Sequence, residues 1–178
     1  AILLVLLGIY VVLNLAYSWR LKHVPVVDVS IIASGFMLRL LAGTLAVGIP
    51  PSRWMLLAGL FAALFLGFSK RKAETFHDEA AKRAVLDHYP PALLDMFMAV
   101  TMTASLMTYG LFATSAEAQL QHGNRLVYSV PIVVFAMLRY AYQVHRGRGE
   151  DVSRDLVRDP WIVAALAAWL LVFLGRRF

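Results

Sequence analysis

Six long apolar runs constrain the fold of this chain more than any other feature of its sequence. A transmembrane helix needs about 20 predominantly apolar residues to cross a hydrocarbon core about 30 Å thick. The chain is 60% hydrophobic and 16% charged, and most charged residues lie between the runs. The runs are Ile2–Tyr17, Val26–Val47, Trp54–Phe68, Ala92–Ala113, Leu126–Val144 and Pro160–Leu174. We predict an all-α polytopic transmembrane bundle, a single domain over residues 1–178. The short third run either extends into its flanking loops or lies in a thin part of the bilayer.

The Lys and Arg residues of the loops predict the orientation of the bundle. Most lie in three connections, Ser18–Pro25, Ser69–Pro91 and His145–Asp159, and the opposite side holds only Arg53, Arg125, Arg176 and Arg177. The positive-inside rule places the three basic connections in the cytoplasm and both ends of the chain outside. We expect an integral protein of a bacterial-type inner membrane. Nearly all acidic residues also fall on the basic side, which indicates a polar site at the cytoplasmic face.

Charge and cysteine content exclude several classes of function. The net charge of +6 belongs to short loops between apolar runs, so orientation in the bilayer explains it better than nucleic-acid binding. There is no cysteine, which excludes disulfides, thiolate catalysis and cysteine-based metal sites. The chain begins within an apolar run and without methionine, so we expect a piece of a longer protein, N-terminally truncated.

One aspartate and one arginine lie inside the second apolar run. Asp28 and Arg39 are eleven residues apart, so on a helix they share a stripe, about 16 Å apart along the axis. Gly35 lies between them and leaves room for close approach to the backbone. Ionisable residues inside a span are costly and usually face a partner or a cavity. Two interpretations stay open: a functional stripe, or an internal Asp28–Arg39 bridge that only fixes helix packing.

The second basic connection is predicted to be helical from Lys70 to Tyr89, because that stretch lacks Gly and Pro. It offers opposite charges four residues apart, at Lys70–Glu74, Asp78–Lys82 and Glu79–Arg83. One interpretation is a solvated amphipathic helix on the membrane surface. The other is a lid over a site for an anionic, magnesium-bearing group. Arg139, near the cytoplasmic end of the fifth run, either snorkels to the interface or turns inward to a phosphate.

Several short phrases, in order along the chain, resemble one family. Their residues are Tyr17-Ser18, Leu21-Lys22, Pro25, Asp28, Ala33, Gly35-Phe36, Leu38-Arg39 and Ala42-Gly43, then Ser69-Lys70-Arg71, Ala73-Glu74, Arg83, Leu86, Tyr89, Arg139-Tyr140 and Gly149-Glu150-Asp151. The pattern resembles the UbiA superfamily of intramembrane prenyltransferases, and within it the branch of decaprenyl-phosphate phosphoribosyltransferases. That superfamily has nine transmembrane helices, so the resemblance implies that this chain holds the last six. The superfamily's first aspartate-rich motif, NDxxDxxxD, is not in this chain.

The resemblance implies a Mg²⁺-dependent transferase that moves a 5-phosphoribosyl group from phosphoribosyl pyrophosphate to a polyprenyl phosphate in the bilayer. It assigns phosphate binding to Lys22, Lys70 and Arg71, with Arg83 and Arg139 as further substrate contacts. Asp28 and Arg39 would orient a donor or acceptor phosphate, and Tyr17 would contact phosphate or an allylic carbon. Glu74 and Asp78 are weaker candidates as metal ligands. With the first aspartate-rich motif absent, we expect this chain alone to be catalytically inactive.

Three other functions stay open. One is a non-enzymatic membrane scaffold, which would not need Asp28 and Arg39 on one stripe. A sister UbiA enzyme would transfer a prenyl group to an aromatic, quinone or haem precursor, and would carry DxxxD in the second basic connection, where this chain has Lys-Arg-Lys-Ala-Glu. A transporter fragment would show broken helices, inverted repeats or paired Gly/Pro interruptions. The sequence has no internal repeat, and its polar residues cluster at one face instead of the midplane.

Overall fold

The computed structural model describes residues 2–48, 52–76, 89–148 and 152–174. These form eight α-helices and a single 3₁₀ turn, Leu21–His23, and no strand occurs within those ranges. The helices are α1 (Ile2–Trp19), α2 (Val27–Val47), α3 (Arg53–Glu74), α4 (Pro91–Thr114), α5 (Ala116–His122), α6 (Arg125–His145), α7 (Val152–Arg158) and α8 (Pro160–Leu174). The all-α fold class predicted from the apolar runs is confirmed.

Five of the helices, α1, α2, α3, α4 and α6, are long and apolar enough to cross a membrane. The sixth predicted span, α8, is apolar throughout but has 15 residues, about 22 Å at 1.5 Å per residue. The third apolar run does extend into a flanking loop, because α3 continues through the basic residues to Glu74 before a turn at Thr75 and Phe76. The prediction of one helix from Lys70 to Tyr89 is wrong at Thr75 and Phe76, which form the turn, and at Tyr89, which is not helical. Residues 77–88, which include Asp78 and Arg83, lie outside the described residues.

The ends of the helices follow from local chemistry. Pro91 begins α4, at the position where its missing N–H costs no intrahelical hydrogen bond. Gly48 ends α2 in the left-handed conformation, with φ of 74°. Ser115 caps α5 by accepting a bond from the Ala118 amide. Inside α4, Thr101 donates its hydroxyl proton to the Phe97 carbonyl, so the polar group is satisfied within the helix.

The helices pack largely in chain order. α1 contacts α2, α2 contacts α3, and α3 and α4 form the most extensive helix contact. α6 then packs on α8, α4 and α3. No described residue of α1 is buried, so this helix covers only one side of α2.

The main hydrophobic core lies at one end of the bundle, where α2, α4 and α8 begin and α3 and α6 end. We call this the charged end, because the ion pairs described below also lie there. The buried core residues are Val29, Phe65, Phe68, Tyr89, Leu94, Met98, Tyr140, Val144 and Ile162. This core holds the charged side chains of the neighbouring helix ends at fixed separations.

Candidate functional site

A groove of about 410 Å³ runs between α2 and α3. Small or apolar residues, including Val152 at the start of α7, form most of its walls, and three of the lining residues are cationic. The lining residues are Ile32, Phe36, Arg39, Gly59, Ala62, Ala63, Leu66, Gly67, Lys70, Arg71 and Val152. We call this the α2–α3 groove, and the end at Lys70 and Arg71 the groove mouth. The groove suits an amphiphile with an apolar chain and an anionic head.

Glycine brings α2 and α3 into close contact beside the groove. A Cβ atom on Gly67 would lie 2.5 Å from Cγ1 of Val29, so no larger residue fits there without displacement of the helices. Gly59 is less tightly enclosed, 3.6 Å from Leu40 by the same measure. The Val29–Gly67 contact fixes the register that sets Asp28 of α2 opposite Arg71 of α3.

A buried charge cluster lies behind the groove mouth. Arg71 donates from Nε to Asp28 Oδ2 at 2.7 Å and from Nη1 to Glu74 Oε2 at 2.8 Å. Asp28 is fully buried and Arg71 is 1% exposed. We call Asp28, Arg71, Glu74 and Tyr89 the Asp28 cluster. Two carboxylates, those of Asp28 and Glu74, therefore share the one guanidinium of Arg71.

Tyr89 completes the Asp28 cluster from the segment that precedes α4. Its hydroxyl donates to Asp28 Oδ1 at 2.9 Å and accepts from the Val26 amide. Burial raises the pKa of Tyr89 to about 12, and the bond to Asp28 acts in the same direction. The phenol is therefore neutral at physiological pH. Sequence reasoning gave Tyr89 no role, and its only signal was its place in the family-like phrase.

Lys70 is the least constrained cation of the groove mouth. It is half-buried and lines the groove, and no carboxylate within the described ranges lies within ion-pairing distance. The predicted Lys70–Glu74 pair is wrong, because Glu74 bonds to Arg71, one residue closer in sequence. The ammonium of Lys70 is thus the group best placed to meet an anionic ligand at the mouth.

Arg39 does not bridge to Asp28. Its Nε donates to the Gly35 carbonyl at 3.2 Å, and its guanidinium lies 5.6 Å from the centre of the Tyr10 ring. The interpretation of an internal Asp28–Arg39 bridge is wrong, since Asp28 finds its partners on α3 and before α4. The group that approaches Gly35 is the Tyr10 ring, 3.5 Å from where a Cβ would stand. Arg39 also borders a second apolar groove, of about 370 Å³, between α1 and α2.

A second set of ion pairs ties α3, α4 and α6 together at the charged end. Lys72 donates to Asp95 Oδ2 at 2.9 Å, and His145 Nε2 lies 2.9 Å from Asp95 Oδ1. Sequence reasoning did not single out Asp95, although this acid lies near the start of an apolar run as Asp28 does. These contacts remove Lys72 from the ligand-binding candidates.

Arg139 has a protein partner away from the groove. Its Nε and Nη2 both donate to Asp159 Oδ2, at 3.1 and 2.9 Å, and Gln143 donates to the same oxygen. The other oxygen, Oδ1, accepts from the amides of Trp161 and Ile162 and so caps α8. The bond from Arg139 is the main cause that lowers the pKa of Asp159. Arg139 therefore joins α6 to α8, and it is not among the groove-lining residues.

The other predicted site residues lie apart from the groove or outside the described ranges. Tyr17 is half-buried in the last turns of α1, and Lys22 is exposed in the 3₁₀ turn. Glu74 bonds to Arg71, and no group of three His, Cys, Asp or Glu residues in the described part of the chain could hold a metal ion.

The sequence is similar to those of bacterial enzymes that share one name. The chain is 35% identical over 171 residues to decaprenyl-phosphate phosphoribosyltransferase of Corynebacterium glutamicum, covering 92% of this chain and 51% of the relative. The enzymes of the same name from Mycolicibacterium smegmatis and Mycobacterium tuberculosis are each 32% identical, over 94% and 91% of this chain and 56% and 54% of their own lengths. The chain is a relative of the decaprenyl-phosphate phosphoribosyltransferases. The resemblance identified from the short phrases is thereby confirmed.

These relatives are longer than the chain. It spans about half the length of the curated relatives that it matches. No protein-family model matches the chain. The name decaprenyl-phosphate phosphoribosyltransferase describes those longer proteins.

Proposed function

We propose that the protein transfers a 5-phosphoribosyl group from phosphoribosyl pyrophosphate to a polyprenyl phosphate in the bilayer. One observation of this chain carries the proposal: an apolar groove between two membrane helices with the ammonium of Lys70 at its charged end. The reaction class, phosphoribosyl transfer, is taken from the names of the relatives. The groove supplies a place where a long isoprenoid chain and an anionic head could lie together.

The lining of the α2–α3 groove matches the acceptor. Ala62, Ala63 and Gly67 keep one wall flat, and Ile32 and Phe36 form the apolar wall opposite. An isoprenoid tail buried there gains about 25 cal/mol for each Å² of apolar surface removed from water. The acceptor phosphate would then meet Lys70 at the mouth, where a hydrogen bond to a charged group contributes about 1.5–3 kcal/mol.

The chemical step joins two anionic reactants. The bond between carbon one of the ribose and the pyrophosphate oxygen breaks, and the pyrophosphate leaves with the bonding pair. An oxygen of the polyprenyl phosphate forms the new bond to carbon one. A phosphate monoester is largely deprotonated at neutral pH, so its oxygen needs no general base. The enzyme's task is to bring two anions together, and the cations of the groove mouth reduce their repulsion.

Asp28 and Arg39 have different roles in this proposal. The carboxylate of Asp28 bonds to Arg71 and Tyr89, so Asp28 orients the guanidinium of Arg71 at the groove mouth. The terminal nitrogens Nη1 and Nη2 of Arg39 make no hydrogen bond to any described residue, and its side chain is exposed to the groove. Arg39 is therefore the deeper cation that could orient a phosphate. Tyr17, Lys22, Arg83 and Asp78 stay in the proposal through the resemblance alone, as does Mg²⁺. Arg139 is left out because of its bond to Asp159.

A transfer assay tests the reaction class. Membranes containing the protein expressed from its complete gene receive ribose-labelled phosphoribosyl pyrophosphate, Mg²⁺ and a polyprenyl phosphate. We expect ribose label in the lipid fraction, dependent on both the lipid and the metal. A prenylated aromatic product from a prenyl diphosphate, with no ribosylated lipid, would establish the sister prenyltransferase reaction instead.

A matched pair of variants tests the role of the groove mouth. Lys70→Gln should weaken acceptor or donor binding about tenfold or more, because one hydrogen bond to a charged group is lost. Arg146→Gln is the control, since Arg146 is an exposed cation near the charged end that bonds to Tyr142 and does not line the groove. Equal effects of the two substitutions would contradict a specific role for Lys70.

A further inference from the structure

Tyr89 links the segment before α4 to the beginning of α2. Its side chain is 2% exposed, and its hydroxyl has one donor and one acceptor contact, to Asp28 and to the Val26 amide. A phenol hydroxyl has a single proton to donate, and here Asp28 accepts it while the oxygen accepts from the Val26 amide. Both contacted residues lie within a few residues of the point where the chain enters the membrane helix that forms one wall of the groove.

We propose that Tyr89 is a positioning residue for the cations of the groove mouth and acts through the carboxylate of Asp28. This inference rests on the proposed function, in which those cations bind substrate phosphate. Tyr89 itself does not line the groove. Its effect on a ligand would pass through Asp28 to Arg71, which does line the groove.

The carboxylate of Asp28 accepts hydrogen bonds from both Tyr89 and Arg71 and so connects these two residues. Tyr89 donates to Oδ1 of Asp28, which turns the carboxylate so that Oδ2 meets Arg71 Nε at 2.7 Å. Arg71 Nη1 is held by Glu74, and Nη2 makes no hydrogen bond to any described residue. Fixing Nε and Nη1 on the protein side leaves Nη2 as the donor available to an anionic ligand. Lys70, the next residue back along α3, shares the same mouth.

The second contact of Tyr89 holds the backbone. Val26 has φ of 66°, a conformation that β-branched residues rarely adopt. Such strain persists only where the surrounding structure imposes it, and the bond from the Val26 amide to Tyr89 is one such constraint. Tyr89 therefore fixes both the carboxylate of Asp28 and the backbone two residues before it.

A double-mutant cycle separates positioning from simple packing. In the protein expressed from its complete gene, Tyr89→Phe should weaken binding of inorganic pyrophosphate and phosphoribosyl pyrophosphate about fivefold to tenfold, with the ring still packed. Asp28→Asn should weaken binding as well, and Tyr89→Phe added to Asp28→Asn should cost less than a further twofold. Tyr142→Phe is the control, because Tyr142 is an exposed tyrosine near the same end and also bonds to a charged residue.

A fluorinated tyrosine at position 89 changes the pH dependence of pyrophosphate binding only if the Tyr89 hydroxyl acts as a donor. A purely packing role would leave that pH dependence unchanged. The fluorinated phenol ionises at lower pH, and a phenolate cannot donate to Asp28. We expect affinity for pyrophosphate to fall on the alkaline side at a pH well below the one at which the natural protein loses it. The same analogue at position 142 should leave the pH profile unchanged.

The outcomes distinguish this inference from the proposed function. Unchanged pyrophosphate affinity in Tyr89→Phe, or fully additive losses with Asp28→Asn, would overturn the positioning role, as would a wild-type protein that binds no pyrophosphate. A protein that binds pyrophosphate with the expected Tyr89 dependence but ribosylates no lipid would instead refute the proposed transfer reaction.

Discussion

Two carboxylates and one guanidinium lie together in a space almost closed to solvent. They belong to Asp28, Glu74 and Arg71. Arg71 and Asp28 are each nearly fully buried, and Lys70 beside them is only half-buried. Buried ion pairs contribute little net stability when complete, but removal of one partner leaves an uncompensated charge. The cluster therefore makes Arg71 a structural residue as well as a candidate ligand contact.

Loss of Arg71 should destabilise the protein through Asp28. We expect Arg71→Gln to reduce the free energy of unfolding by about 3 kcal/mol, because the carboxylate of Asp28 loses its cation. The double variant with Asp28→Asn should recover most of that loss. Unfolding by denaturing detergent in mixed micelles measures both. If Asp28→Asn gave no recovery, the two residues would not form the pair described here.

Asp159 should make stability sensitive to acid. The bonds from Arg139 and from two backbone amides lower its pKa below the ordinary 3.8. A lowered pKa in the folded state contributes stability that is present above pH 3.8 and lost as pH falls through the folded value. We expect the natural protein to lose stability below about pH 4 more steeply than Asp159→Asn does. Parallel acid unfolding curves for the two proteins would refute this.

Asp159 is also the cap of α8, and a substitution that removes its oxygens should cost more. Asp159→Ala should reduce the free energy of unfolding by about 2 kcal/mol, since it removes an N-cap and a charged hydrogen bond together. Glu117→Ala, which removes an exposed acid from the first turn of α5, is the control. Similar losses of unfolding free energy in both variants would show that the cap of α8 adds no stability.

At the scale of the residue, the sequence identified the charged groups better than their partners. Asp28 was singled out because a charge inside an apolar run is costly, and Lys70 and Arg71 were singled out by the family resemblance. Helical spacing could relate Asp28 only to residues of its own helix, so it suggested Arg39, whereas the true partner comes from α3. The pairing of α2 with α3 depends on tertiary contacts such as Val29–Gly67, which no single-chain periodicity contains.

Among the elements, α2 and α3 form the groove, and their separation depends on a single close contact. The space at Gly67 holds no additional methyl group, because Cγ1 of Val29 already occupies it. Overpacking of a close contact typically costs about 1–3 kcal/mol and moves the backbone. The width of the groove is therefore sensitive to the residue at position 67.

Gly67→Ala should push α2 away from α3 and disturb the groove mouth. We expect a loss of about 1–3 kcal/mol in the free energy of unfolding and weaker binding of polyprenyl phosphate. Gly110→Ala in α4 is the matched control, because a Cβ there meets nothing within 4 Å. The control should be neutral or slightly stabilising, as alanine favours helix over glycine. Equal behaviour of the two variants would refute the tight α2–α3 contact.

The elements themselves were predictable from the sequence. Long apolar runs fixed the spans to within a few residues, since no water is available in a bilayer to satisfy an unpaired backbone. The extension of α3 to Glu74 was also expected. α7 was not predicted as a helix, because its seven residues are too few for a periodic hydrophobic pattern to show. Its first residue, Val152, nevertheless lines the groove.

For the whole molecule, the charged end gathers the Asp28 cluster, the Lys72–Asp95–His145 contacts and the Arg139–Asp159 pair at one side of the bundle. The positive-inside rule predicts that this side is cytoplasmic. A water-soluble donor would then reach the groove mouth from the cytoplasm, while the lipid acceptor would lie in the membrane.

Single cysteines can test this orientation, because the chain contains none of its own. Arg146→Cys and Gln119→Cys place thiols at exposed positions at opposite ends of the bundle. A membrane-impermeant maleimide should label position 119 in intact cells and position 146 only after permeabilisation. The reverse pattern would invert the predicted topology.

The central claim is that the α2–α3 groove holds the polyprenyl phosphate with its head at Lys70. A polyprenyl phosphate with a photoreactive group in its tail, cross-linked in membranes and mapped by mass spectrometry, tests it most directly. The account predicts adducts on the groove wall of α3, around Ala62 to Leu66, that excess unlabelled polyprenyl phosphate removes and that Lys70→Gln reduces about tenfold. Adducts confined to outward-facing residues of α1 or α8, unaffected by competitor and by Lys70→Gln, would contradict it.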